Sequence, residues 1–194
     1  MPASVLAMVA KQQEDLGFEG TWAAQVFGPP FSLLAAATTS TERLLLGTGI
    51  AIAFTRSPLS PFETAMAAID LDSMSNGRTV LGLGSSVKSW TEGIFGMPYG
   101  KPVEHLRETT ELLRLIIAKA HTGELDRFEG KYHLHDFSEL QPPVPPLRTE
   151  IPIWISALRG AMLRLGAEIA DGVIGHPIWS RHWATTKIPE QLKK

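Results

Sequence analysis

The sequence predicts an α/β fold with a parallel sheet. Short apolar runs with the composition of strands buried on both faces alternate with segments whose apolar residues recur at helical spacing. Proline and glycine separate the two kinds of segment. This alternation is typical of βαβ units, in which each helix crosses between two parallel strands. With 194 residues, 44% of them hydrophobic, the length favours one globular domain over 1–194.

The first part of the chain is predicted to form two helices and two strands. Apolar residues at every third or fourth position predict a helix over Ser4–Leu16, ended by Gly17. A short strand follows at Phe18–Ala23. After a break at glycine and proline, a helix at Phe31–Thr39 leads into Leu44–Phe54, which we expect to be one strand buried on both faces.

The alternation of strands and helices then continues to residue 175. The longest predicted helix is Pro102–His121, and its charged side chains predict a solvated face with ion pairs within the helix. We expect the aromatic residues of an insertion at about 85–101 either to line a substrate pocket or to pack the insertion against the rim of the barrel. The predicted elements are a helix at Pro61–Met74, a strand at Arg78–Leu83, the irregular insertion, a helix at Pro102–His121, a hairpin at about 126–136, a packed proline-rich loop at Gln141–Pro146, a strand at Ile151–Ala157, a helix at Ala161–Ala170 and a strand at Asp171–Gly175.

Five strands are too few to close an eightfold barrel. A complete (β/α)8 barrel takes about 250 residues, and this chain opens on a helix instead of a strand. We therefore expect an incomplete TIM-barrel fold that lacks the first strand and the last ones. The polar, basic segment Lys187–Lys194 looks like an abrupt stop after a helix start, so a fragment of a longer enzyme is one interpretation. Open strand edges also favour a homo-oligomer or a complementing chain.

Charge and composition exclude several functions. The 18 basic and 20 acidic side chains give a net charge of −2 and are scattered, so a nucleic-acid partner is not expected. With no cysteine, redox chemistry requires a bound cofactor. No basic leader and no apolar run of about 20 residues is present, which predicts a soluble cytoplasmic protein without a membrane partner.

Three segments resemble the luciferase-like superfamily, especially its oxidoreductases that depend on coenzyme F420. They are LLLGTGIAIAFTRSP at Leu44–Pro58, LDSMSNGRTVLGLGSS at Leu71–Ser86 and IPIWISALRGAMLRLGAEIADGVIG at Ile151–Gly175. A fourth stretch, RFEGKYH at Arg127–His133, resembles the short hairpin before the fifth strand of that family. The resemblance covers about Phe18–Gly175 and implies coenzyme F420 as the cofactor, with FMN as the alternative.

The resemblance also implies where the cofactor would bind. A bulge with a non-proline cis peptide supports the cofactor ring in the family, and the matching bond is Gly49–Ile50. The turn Gly84–Ser86 matches the loop that runs past the cofactor tail, although it could also be a simple strand-to-helix turn. The segment Ala157, Leu158, Arg159 and Gly160 joins a strand to a helix, where amides at the helix N-terminus suit a phosphate. Arg159 either adds a positive charge there or blocks the ring.

Catalytic side chains are harder to assign. Family members commonly carry an acidic residue, and often a histidine, in the segment that matches Ala24–Pro29, and this chain has neither. Gln25 can hydrogen-bond but cannot exchange a proton near neutral pH. His176, at the end of the last strand, is the other candidate, although a histidine at such a position is more often a polar lining residue than an acid or base. We interpret Asp171 as structural, and His133 and His135 as hairpin residues without a metal.

Three functional hypotheses follow. The first is an oxidoreductase that transfers hydride between F420 and a small organic substrate. With FMN in the same site, oxygen chemistry would make the protein a monooxygenase. The second is a truncated, non-catalytic flavin-binding protein, and the third is the fragment described above.

Overall fold

The computed structural model describes residues 1–26, 28–54 and 60–192. Phe27, the end of the first resembling segment at Thr55–Pro58 and the last two residues of the basic C-terminal segment lie outside this part. Within it the strands are β1 (Gly20–Ala23), β2 (Leu45–Thr48), β3 (Ala51–Ile52), β4 (Thr79–Gly84), β5 (Arg127–Glu129), β6 (Leu134–Asp136), β7 (Ile153–Ala157) and β8 (Gly172–Gly175).

Helices precede, separate and follow these strands. They are α1 (Ala3–Asp15), α2 (Phe31–Thr38), α3 (Ser60–Met74), α4 (Lys88–Gly93), α5 (Pro102–Lys119), α6 (Gly160–Ile169) and α7 (Ile188–Leu192), with a π-helical turn at Trp183–Lys187 before α7. No helix of the described residues is long and apolar enough to cross a membrane.

One parallel sheet organises the molecule. Its order is β1-β2-β4-β7-β8, with the short β3 also beside β4, and every pair in it is parallel. The sheet is curled into a half-barrel of five strand positions, which confirms the predicted incomplete TIM-barrel architecture. Because the strands are parallel, their carboxyl ends meet at one end of the half-barrel.

The run at Leu44–Phe54 is two strands, so the prediction of one continuous strand is wrong. Strand β2 pairs with β4 up to Gly47 opposite Val80, and β3 resumes the pairing with Ala51 opposite Leu83. Four residue steps on one strand therefore oppose three on the other, which defines a bulge. The Gly49–Ile50 peptide inside it is cis, as the resemblance implied.

The helices cover one face of the sheet. On β7, Ile153, Ile155 and Ala157 are buried, whereas Trp154 and Ser156 are half-buried on the opposite face. The main core joins Ile153 and Ile155 to α3 and to α5. The α5 side chains in this core are inaccessible or nearly so, namely Leu106, Leu112, Leu113, Ile116 and Ile117. Burial on both faces holds throughout β4 but not at the start of β2, where Leu45 is 37% exposed.

The antiparallel hairpin β5–β6 is confirmed, and one carboxylate anchors it to α5. Glu108 accepts hydrogen bonds from the backbone N–H groups of Lys131, Tyr132 and His133 at 2.7–2.8 Å. The prediction of ion pairs within α5 is wrong for its arginines, because α5 lies close enough to other elements for these side chains to form ion pairs with them. Arg107 pairs with Glu168 of α6, and Arg114 pairs with Asp171 before β8.

The insertion is also more regular than predicted, since it contains the helix α4.

Candidate cofactor site

A cavity of about 700 Å³ opens at the carboxyl ends of the strands. Its wall is formed by the ends of β4, β7 and β8, by the bulge and by the start of α6. Most lining side chains are apolar or small, which is typical of a small-molecule site. The lining residues are Gly49, Ile50, Gly84, Ser85, Ser86, Val87, Tyr99, Pro102, Val103, Ser156, Leu158, Arg159, Ala161, Met162, Ile174, Gly175, His176 and Pro177.

Two side chains brace the bulge, one on each side. The buried hydroxyl of Thr48 donates to the Gly82 carbonyl at 2.7 Å and accepts from the Gly82 N–H at 2.8 Å. It thereby replaces the backbone pairing that the bulge interrupts. On the other side, Gln25 donates its backbone N–H to the Ile50 carbonyl, and its Oε1 accepts from the Ile52 N–H at 2.9 Å.

The loop after β4 is held by an aromatic hydroxyl. The Tyr99 hydroxyl donates to the Ser86 carbonyl at 3.2 Å and lies 3.4 Å from the Ser85 hydroxyl. Ser86 has a φ of 56°, in the left-handed region that serine rarely adopts. On the other side of the loop, Thr91 of α4 donates to the Ser85 carbonyl. The insertion therefore both lines the cavity, through Tyr99, and fixes its polar rim.

The segment between β7 and α6 is only partly directed at the cavity. Leu158 and Arg159 are exposed and line it, and Arg159 is the extended residue just before the helix. Ala157 is fully buried, so its side chain belongs to the core. A Cβ built on Gly160 would lie 2.4 Å from Oε1 of Gln191, so α7 faces this glycine.

Comparison with known proteins identifies the family. A model of the luciferase-like monooxygenase family matches residues 2–192. The chain belongs to that family. A protein of Mycobacterium tuberculosis without a named activity is 36% identical over 179 residues, with 91% of this chain and 52% of that protein covered. The 5,10-methylenetetrahydromethanopterin reductase of Archaeoglobus fulgidus is 32% identical, with 89% and 50% covered.

Solved structures of luciferase-like proteins share the fold. The coenzyme F420-dependent tetrahydromethanopterin reductase of Methanopyrus kandleri gives a TM-score of 0.74 at 26% identity, over 91% of this chain and 53% of that one. An FMN-bound type II Baeyer-Villiger monooxygenase from Pseudomonas putida gives 0.76 at 18% identity, over 98% and 57%, which shows the fold alone. The chain thus spans about half the length of the luciferase-like relatives it matches.

The cavity brings together most residues that the resemblance assigned to the cofactor. Gly49, Ile50, Gly84, Ser85, Ser86, Leu158 and Arg159 line it, whereas Ala157 and Gly160 do not. Sequence reasoning missed the bridging hydroxyl of Thr48, whereas Tyr99 is one of the insertion aromatics for which lining a pocket was one of two expected roles. Thr48 had a weak signal in its place between two glycines, but the partner of its hydroxyl is 34 residues away. The hydrogen bond from the Tyr99 hydroxyl to the Ser86 carbonyl had no signal, because this loop has no periodic pattern.

The two catalytic candidates lie in different surroundings. Gln25 is outside the cavity lining, and its amide oxygen is engaged at the bulge, so its observed role is structural. His176 is exposed and lines the cavity, where its Nδ1 accepts from the Ile178 N–H at 3.2 Å. Among the described lining residues there is no carboxylate. Asp171 accepts from the Ile153 N–H and from Arg114, which confirms a structural role.

Three buried histidines lie where α5 meets the hairpin. The His105 ring stacks between Phe54 at 3.9 Å and Tyr132 at 4.4 Å, and His133 follows at 5.0 Å. Burial, followed by the neighbouring His133, lowers the pKa of His105 to about 4. Burial also lowers the pKa values of His133 and His135. No group of three or more metal-binding side chains occurs in the described part of the chain.

The hydroxyl of Thr109 fixes the tautomer of His133. It donates its single proton to the His105 carbonyl at 2.8 Å, so it can only accept from Nε2 of His133, also at 2.8 Å. Nε2 therefore carries the proton, and Nδ1 is a buried acceptor without a partner in the described residues. The histidines thus favour the neutral form.

Proposed function

We propose that the cavity binds coenzyme F420 and that the protein is an oxidoreductase, transferring hydride between this cofactor and a small organic substrate. The observation that carries the proposal is the composition of one cavity wall: the cis bulge, the Ser85–Ser86 loop and Arg159 meet there. A volume of about 700 Å³ lies within the range of roughly 300–1,000 Å³ of small-molecule sites.

The residues present fit a flat ring with an anionic tail. Ile50 and Ile174 give the cavity apolar surface against which a ring can lie. The Ser85 and Ser86 segment offers hydroxyl and backbone groups, and Arg159 adds a positive charge for a phosphate. When bound, the deazaflavin supplies the hydride chemistry at its C5 atom. The chain supplies binding, orientation and exclusion of water.

The names of relatives support a deazaflavin or flavin over other ligands. The reductase from Methanopyrus kandleri is named for coenzyme F420, as is a glucose-6-phosphate dehydrogenase of Nakamurella multipartita that is 33% identical over 88% of this chain. The Pseudomonas putida monooxygenase contains FMN. With FMN, the same cavity would support oxygen chemistry, so the choice of cofactor decides between the two reactions.

Few side chains that line this cavity can exchange a proton with a substrate. With no carboxylate among the described lining residues, the imidazole of His176 is the lining group whose ring nitrogens are chemically suited to accept and donate a proton. We assign it the proton exchange with a substrate carbonyl or hydroxyl. Its exposed position at the end of β8 leaves it free to contact a ligand that fills the cavity.

The proposal is tested by titrating the purified protein with F420 and, separately, with FMN, and following cofactor fluorescence. We expect micromolar or tighter binding of F420 and weaker binding of FMN. Loss of one charge-assisted contact in Arg159→Gln should weaken binding about tenfold, equivalent to about 1.4 kcal/mol. Arg43→Gln is the matched control, because Arg43 precedes β2 at the opposite end of the half-barrel.

The outcomes separate the alternatives. Preferential FMN binding would favour a monooxygenase. Tight F420 binding without substrate-dependent oxidation or reduction would identify a non-catalytic binder. If neither cofactor binds, or if the two arginine variants behave alike, the assignment of this cavity is wrong.

A further inference from the structure

A second, smaller cavity of about 150 Å³ lies between the insertion, α5 and the hairpin. Its walls come from four parts of the chain, all within residues 53–133, and it shares no described lining residue with the cofactor cavity. This small cavity is therefore separate from the site proposed for F420. Its described lining residues are Ala53, Phe54, Met97, Pro98, Gly100, His105, Tyr132 and His133.

The walls of the small cavity carry no charge. Phe54, Tyr132 and Met97 give it aromatic and thioether surface, and no carboxylate, lysine or arginine occurs among its described lining residues. Burial lowers the pKa of His105 to about 4, so this ring is neutral at pH 7. Because burying an unpaired charge is costly, the cavity favours a neutral ligand. An apolar cavity of about 150 Å³ can hold a single aromatic ring.

His105 is the residue in this wall that can recognise a polar group. It is only 6% exposed, and neither of its ring nitrogens has a hydrogen-bond partner in the part of the chain that the structure describes. Nδ1 has no accessible surface, whereas Nε2 keeps some. Because His105 lines the small cavity, Nε2 is the nitrogen that can reach a ligand there. Buried polar atoms normally form hydrogen bonds, so Nε2 is suited to bind a polar group that enters the cavity.

A hydroxyl group matches this nitrogen in either tautomer of the ring. A neutral imidazole has one N–H donor and one acceptor nitrogen, and a hydroxyl can both donate and accept. A carbonyl oxygen only accepts, and an ammonium group carries a charge that these walls do not balance. We infer that the small cavity binds a small neutral molecule that combines one ring with a hydroxyl group, as a phenol does.

One pair of aromatic rings connects the small cavity to the cofactor cavity. Phe54 lines the first and Tyr99 lines the second, and their ring centroids lie 6.3 Å apart in an edge-to-face arrangement. Tyr99 also donates to the Ser86 carbonyl in the loop after β4. A molecule in the small cavity therefore lies against a ring that supports the wall of the cofactor cavity. Its binding can be measured without F420, so the inference does not rest on the proposed function.

The probe for the first test is phenol, and toluene is the matched probe that has the ring without the hydroxyl. Isothermal titration calorimetry should give a Kd for phenol of about 1 mM or below. His105→Phe keeps a stacked ring but lacks the nitrogen, so it should weaken phenol binding at least tenfold and toluene binding less than about threefold. His121→Phe is the matched control and should leave phenol binding unchanged. His121 also has a buried ring nitrogen without a partner, but it does not line the small cavity.

Nitrogen NMR of the unchanged protein gives a test that does not depend on how His105→Phe folds. A hydrogen bond to a ring nitrogen changes its chemical shift, so the Nε2 signal of His105 should move with phenol and saturate with the same Kd. Absence of phenol binding at about 10 mM would show that the small cavity holds only water and would overturn the inference. Equal loss of phenol and toluene binding in His105→Phe, equal effects of the two histidine variants, or an unmoved His105 signal at saturation would also overturn it.

Discussion

The hydroxyl of Thr48 is expected to contribute a large share of the stability of this sheet. It satisfies both the N–H and the carbonyl of Gly82, and Thr48 is fully buried. Valine has nearly the same shape but no hydroxyl, so Thr48→Val would leave both backbone groups unsatisfied without creating a large cavity. Each such group costs about 1–3 kcal/mol, which gives a loss of about 2–6 kcal/mol in the free energy of unfolding.

The measurement is urea unfolding followed by circular dichroism, with all variants at the same protein concentration. Thr48→Ser is the control, since it keeps the hydroxyl and removes one methyl group, at a cost of about 1 kcal/mol. In a chain of this size, each kcal/mol lowers the melting temperature by about 2–4 °C. If Thr48→Val lost no more than Thr48→Ser, the proposed bridge across the bulge would be refuted.

Three further predictions concern buried charges and pH. Backbone N–H groups of Arg43 and Leu44 lower the pKa of Glu14 to about 2, so the stability that Glu14 provides should disappear as pH falls from about 4.5 to 2, and the melting temperature of Glu14→Gln should fall less over that window than that of the unchanged protein. The pKa of His105 is about 4, whereas a histidine of the unfolded chain is protonated near pH 6.5. The free energy of unfolding should therefore decrease by up to about 3 kcal/mol as pH falls from 6.5 to 4, and a His105→Phe variant equally sensitive to acid would contradict this. Arg148→Met should cost about 3–5 kcal/mol in urea unfolding, since it strands the buried carboxylate of Asp72, and adding Asp72→Asn should restore part of that loss.

The order of elements could be predicted because each rests on local patterns. The helix at Ala3–Asp15 and the strand at Ile153–Ala157 follow from apolar spacing, and both were located to within a few residues. The short helix at Lys88–Gly93 has too few residues for a periodic pattern. The charges of the longest helix suggested only local pairs, because a sequence does not show that Glu168 lies beside Arg107.

The site was predictable only as far as the resemblance reached. Composition could not distinguish a continuous apolar strand at Leu44–Phe54 from two strands with a bulge, whereas the resemblance located the cis bond at Gly49–Ile50. The role of Gln25 was missed because its hydrogen-bond acceptor function depends on a strand 27 residues away. Gly160, which the resemblance assigned to the cofactor, lies outside the cavity lining because α7 packs against it, and nothing in either segment indicates that contact.

The glycines on the sheet face opposite the helices suggest how such a sheet can change in evolution. A Cβ on Gly47 would lie 2.2 Å from the Trp22 ring, and one on Gly172 would lie 2.7 Å from the Trp154 ring. The volume available is therefore fixed for each pair of neighbouring strands, and not for each position alone. Among homologues, a larger residue at the position of Gly47 should occur together with a smaller one at that of Trp22. Covariation of these paired positions, more than invariance of either glycine, is the evolutionary signature to expect of this surface.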